Sequence, residues 1–177
     1  MARADLNELF ANQQIMSDWK TNRISYALLL TPVFFVCHFL EESPGFVAWF
    51  NSHVTPGITQ ELFWTVNISG LIITIFVVGI EWFSRSSFSL LLAAAWFSFL
   101  MFANGTFHIA ASLFDKRYVP GFFTAAFLYI PFYIWLFTNA VKSKRTKTPA
   151  LIAAAVFGSL PMFLHCYLIL FRGSRLV

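Results

Sequence analysis

The chain has 177 residues, of which 58% are hydrophobic and only 11% charged. Soluble domains are about a quarter charged, so this composition excludes an ordinary soluble globular domain. The net charge of +4 is scattered between apolar segments rather than gathered in one patch, which argues against nucleic acid as a partner.

The N-terminal residues MARADLNELF are polar and carry two acids, which is not the pattern of a cleavable signal peptide. Residues 4–19 place Leu6, Leu9, Phe10, Met16 and Trp19 at near-helical spacing. This reads either as an in-plane interfacial helix or as a polar leader. Five apolar runs follow, over about 24–42, 62–80, 88–114, 119–141 and 149–171. At ~1.5 Å per residue each is long enough for a ~30 Å hydrocarbon core, the first only with its last polar turn. The expected fold is therefore all-α, a polytopic membrane helix bundle of about five transmembrane helices. Residues 1–177 form one domain in this reading, with 1–23 as a cytoplasmic or interfacial leader.

Lys and Arg set the expected topology. One side holds Arg3, Lys20, Arg23, Arg85, Lys142, Lys144, Arg145 and Lys147; the other holds Lys116, Arg117, Arg172 and Arg175. Eight against four places the N-terminus in the cytoplasm. The loop 43–61 has no Lys or Arg but contains Phe46, Trp49 and Phe50. It reads as an interfacial loop, either ordinary aromatic anchoring or a cover over a site beneath.

The run from 24 ends in His38-Phe39-Leu40-Glu41-Glu42. On a helix, positions 38, 41 and 42 share a face, and ionisable groups in a membrane helix are a functional-site hypothesis by default. Helical rise puts His38 ~6 Å, and His108 and His165 each ~10 Å, below the same interface. Asn67 on the second run lies ~9 Å from that side, and Asn104 is one turn below His108. Three histidines, two carboxylates and two amides thus fall in one leaflet, the outer one in this topology. Taken singly, each has a plain alternative: a snorkelling helix end for His38, interhelical contacts for His108 and His165.

Other features are less specific. His53 falls in the loop and reads as exposed. Cys37 and Cys166 lie in apolar runs and define no disulfide framework. Glu81 and Arg85, spaced i, i+4, read as an interfacial ion pair at the opposite face. Pro32, Pro131 and Pro161 are candidate kinks.

His38-Phe-Leu-Glu41-Glu42, then His108, then Tyr118-Val119-Pro120-Gly121 resembles the HXXEE-motif family of small integral membrane proteins, described by HxxEE, a further histidine and YxPG. The order and roughly the whole chain length fit. The resemblance implies a membrane protein suspected of being an enzyme and carries no established reaction. His108 or His165 is the further histidine, and proximity to YxPG favours His108.

Two enzymatic readings follow from the residues. In the first, His38, His108 and His165 with Glu42 or Glu41 hold one divalent ion, Zn or Fe, and the spare glutamate acts as general base on bound water. In the second, His38, Glu41 and Glu42 perform metal-free acid–base chemistry, isomerising or cyclising a lipophilic alkene, with Trp96 available to stabilise a cation. Asn67, Asn104 and Tyr118 would support or contact substrate. A proton-coupled carrier or a bis-histidine haem site is the non-enzymatic alternative. The expected partners are membrane lipids and a hydrophobic or amphipathic small-molecule substrate.

Overall fold

In the computed structural model, residues 23–54 and 56–172 are described; the expected helix at 4–19 lies outside them. The described residues form α1 (Arg23–Glu42), short α2 (Phe46–Asn51), α3 (Gln60–Ser84), α4 (Ser87–Asp115), α5 (Phe122–Ser143) and α6 (Thr148–Arg172), with no strand among them. All but α2 are long and apolar enough to cross a membrane.

Local chemistry sets the boundaries. Thr59 caps α3 by accepting from the Leu62 amide, and Ser86 with Ser89 forms a capping box at the start of α4. Gly121, with φ of +94°, turns the chain into α5. That residue starts the fifth helix at Phe122, three positions later than the apolar run suggested.

The prolines act differently from one another. Pro32 leaves the carbonyl of Leu28 without its amide partner; α1 breaks into turns at Leu29 and Leu30, and Thr31 Oγ1 takes that carbonyl at 2.7 Å. Ahead of Pro131, α5 widens into a π-helical segment over Ala125–Tyr129, which relieves the clash of a proline ring with the preceding turn. Helix α6 continues through Pro161. A second π-helical segment, Ser98–Ala103, lies inside α4. There Ser159 of α6 donates to the Ser98 carbonyl at 3.3 Å, and Ser98 meets Tyr133 of α5 at 2.6 Å.

Helices α1, α3, α4 and α5 pack side by side as a ring, and α6 docks on the outside of α4 while also touching α5. A core of Phe35, Phe39, Phe63, Val77, Leu90, Phe97, Met101 and Tyr133 fills this bundle. A smaller cluster of Trp49, Phe50, Val54, Phe107, Ala111, Val119 and Ile169 sits under α2 at one end. A polar cluster occupies each end. At the far end, Glu81 is fully buried, and Arg145 engages both of its oxygens. Ser25 and Ser89 donate to the same carboxylate at 3.1 and 2.6 Å. The carboxylate expected to pair with Arg85 is thus taken by Arg145 from the α5–α6 connection, while Arg85 lies over Trp82.

Candidate functional site

The other polar cluster lies beneath α2. The last turn of α1 directs His38 and Glu42 inward and Glu41 toward the start of α5. Both His38 and His108 have no exposed surface, and Glu42 is buried. Glu42 Oε1 is 3.6 Å from His38 Nε2 and 2.9 Å from His108 Nε2. One candidate ligand atom from each of the three lies within 4.8 Å of the others. The short His108 contact is not aligned for a hydrogen bond, and neither ring nitrogen of His108 has a hydrogen-bond partner.

His38 is held from both sides. Asn104 Nδ2 approaches Nε2 at 3.0 Å, and Thr124 Oγ1 approaches Nδ1 at 2.7 Å. Thr124 has one hydroxyl hydrogen, and Glu41 Oε2 lies much closer to it than the Gly121 carbonyl does. The hydroxyl therefore donates to Glu41, and His38 Nδ1 must carry the proton that reaches Thr124. Nε2 is left with its lone pair toward Asn104 and the His108–Glu42 side.

Glu41 serves the start of α5. Its carboxylate accepts from the Phe123 and Thr124 amides at 2.9 and 2.7 Å, from the Thr124 hydroxyl, and from Tyr118 at 2.8 Å. Free amides at a helix start suit a carboxylate, so Glu41 caps α5 from another helix. The Tyr118 ring is half exposed, but partial burial and donation to Glu41 push its hydroxyl pKa up to about 12.

Gly121 closes the arrangement at the start of α5. A Cβ built there would stand 2.8 Å from the His108 ring and 3.0 Å from His38. The two imidazoles meet edge to face with centroids 4.9 Å apart, and Tyr129 lies 4.3 Å from His38 on its other side. The Tyr129 hydroxyl is buried without a hydrogen-bond partner. From above, Phe46 of α2 packs on His108 at 5.6 Å. Trp49 donates to Asp115 at 2.7 Å, and His53 contacts the same carboxylate at 3.1 Å. Helix α2 therefore covers the cluster. His53, expected to be exposed, is tied into this cover.

A cavity of about 340 Å³ runs alongside. Its polar lining is Glu42, Asn67, Asn104 and His165; the rest is apolar. His165 stacks on Phe50 at 6.1 Å and stands on the cavity wall, apart from the buried trio. Asn67 donates to the Phe63 carbonyl of its own helix at 3.0 Å.

Thr124 and Tyr129 had no assigned place from sequence, and Gly121 had only its place in the YxPG element. For Thr124 a signal existed, since a hydroxyl three residues after the YxPG glycine falls in a first helical turn. For Tyr129 none did. Thr124 and Tyr129 are five apart, a spacing that shares a face only across a π-helical turn.

Fold and cluster together define a helical bundle of membrane-spanning type with a buried histidine–carboxylate centre under a short covering helix. The chain belongs to the family described as proteins of unknown function with an HXXEE motif, whose family model matches residues 29–136. That stretch contains His38, Glu41, Glu42, His108 and the YxPG element, and ends before His165. No curated protein and no solved structure gives a match.

Proposed function

We propose that this protein is an integral membrane metalloenzyme in which His38, Glu42 and His108 hold one zinc or iron ion, acting on a hydrophobic or amphipathic substrate. The observation that carries the reading is His108: a fully buried imidazole with both nitrogens unbonded, beside a buried carboxylate and a second imidazole. Buried polar groups are normally satisfied, so this centre lacks a partner that a cation would supply. Bonds of about 2.0–2.1 Å at tetrahedral angles put ligand atoms ~3.3 Å apart, and the two contacts to Glu42 fall on either side of that spacing. The Thr124–Glu41 chain fixes His38 through its other nitrogen, as outer partners do for metal-binding histidines.

A bound ion would activate water or polarise a substrate oxygen. Glu41, with both oxygens occupied, positions rather than reacts. Asn104, Asn67 and His165 face substrate from the cavity wall. The positive-inside count gives a cytoplasmic N-terminus and a site in the outer half of the bilayer.

Elemental analysis of untagged, never-chelated protein tests this. Near-stoichiometric zinc or iron is expected, lost in His38→Ala and His108→Ala and retained in His165→Ala. Metal undiminished in His108→Ala overturns the proposed centre. A second reading has one specific support, the Asn104 amide already seated on His38 Nε2. Folded protein free of metal would favour it: acid–base isomerisation or cyclisation of a lipophilic alkene at Glu42 and His38.

A further inference from the structure

The cavity beside the centre has a polar end, an apolar end and an open flank. Glu42 stands at the end of α1, with Phe46 and Phe50 of α2 above it. Phe35, seven residues earlier on α1, lies ~10 Å deeper by helical rise. Phe35, Gly70, Trp96 and Phe99 line the deep portion, and none of these carries a charge. Asn104 lies between the two ends.

The flank is the gap between α3 and α6. Both pack on α4, and the cavity is walled by Leu62 and Val66 from one and Met162 and His165 from the other. Leu62 and Val66 are 47% and 59% exposed, so the same residues line the cavity and face the surroundings of the bundle. On a membrane-spanning helix those surroundings are lipid tails. The watery side is shut by α2, whose Trp49 and Phe50 are buried.

We propose that this cavity binds one hydrocarbon tail of a single-chain lipid, admitted sideways between α3 and α6, with a terminal hydroxyl that accepts from the Asn104 amide and donates to the Glu42 carboxylate. Its volume lies at the small end of ligand sites, which run about 300–1,000 Å³. A two-tailed phospholipid brings a second tail of the same length alongside the first, and a cavity of about 340 Å³ has no room for both. No Lys or Arg lines the cavity among the described residues, so a phosphate head finds no side-chain cation there. That this ligand is the substrate rests on the function proposed above; that the cavity holds it does not.

The test reconstitutes the full chain in phosphatidylcholine nanodiscs with a trace of a long-chain alcohol bearing a diazirine near its tail end. A parallel sample carries phosphatidylcholine with the same diazirine-bearing tail. After irradiation, labelled residues are mapped by peptide mass spectrometry. The alcohol is expected to label Phe35 and Trp96, in the deep portion, several-fold more than the phospholipid does. Met162→Trp, which fills the cavity, should lower that labelling several-fold, and Val66→Trp serves if that variant does not fold. Labelling confined to outward-facing Phe76 and Phe157, or equal cavity labelling by both probes, overturns the proposal. Metal is measured in the same samples. Metal without cavity labelling sinks this inference and leaves the metal centre standing, whereas labelling without metal supports the cavity and sinks the centre.

Discussion

Gly121 is the point where the two motifs touch. Its φ of +94° disfavours any side chain, and an added Cβ would press on both imidazoles. Left-handed geometry costs a non-glycine residue about 1–2 kcal/mol, and overpacking typically adds about 1–3 kcal/mol. Gly121→Ala should therefore destabilise the protein by roughly 2–5 kcal/mol and lower bound metal, read by denaturant unfolding and elemental analysis. Gly79→Ala is the control, since nothing lies within 4 Å of a Cβ there; it should leave bound metal unchanged and gain at most the ~1 kcal/mol that alanine has over glycine inside a helix. At this scale the sequence exposed the ionisable residues but not their division of labour. Glu41 and Glu42 are neighbours in an HxxEE string, yet adjacent helix positions diverge by ~100°. One goes to the start of α5, the other to the histidines, and only the position of α5 decides which.

Among the elements, α4 and α6 approach each other closely at Gly158. A Cβ on Gly158 would sit 2.1 Å from the Ala95 carbonyl oxygen, so the backbones nearly touch, as small residues allow between membrane helices. Gly158→Ala must push α6 outward. We expect a loss of about 1–3 kcal/mol, seen as a lowered unfolding midpoint against the same Gly79→Ala control. The five long helices were legible because runs of twenty or so apolar residues have few other outcomes. Their internal irregularities were not. An α-helix that is apolar on every side shows no face, so a π-helical segment leaves no trace in its pattern. Yet the one at Ser98–Ala103 sets the register of Asn104 and His108 beyond it.

Across the whole molecule, the two polar clusters stand at opposite ends of one bundle and do different work. Glu81 with Arg145 is closed: both carboxylate oxygens are bonded, and the partners' side chains are 0% and 9% exposed. Removing one member of a buried pair typically costs about 3–5 kcal/mol. Arg145→Ala should lose stability on that order, while the metal bound per folded molecule stays unchanged. The double variant Glu81→Leu/Arg145→Met should recover most of the loss, as apolar replacement of a buried pair often does. Unfolding curves with parallel metal analysis check all three statements. Sequence pointed to Arg85 for Glu81 because four-residue spacing is visible along a chain. Arg145 is 64 positions away, and only the bundle's closure brings it there.

A cavity that opens through Leu62 and Val66 into the bundle's surroundings also changes what concentration means for this protein. Its occupancy follows the mole fraction of ligand in the surrounding film, not the amount dissolved in water. In a micelle that film is the detergent itself, a single-tailed amphiphile present in vast excess. The choice of solubilising agent thus becomes a choice of competitor, and a silent assay in detergent would describe the micelle as much as the protein.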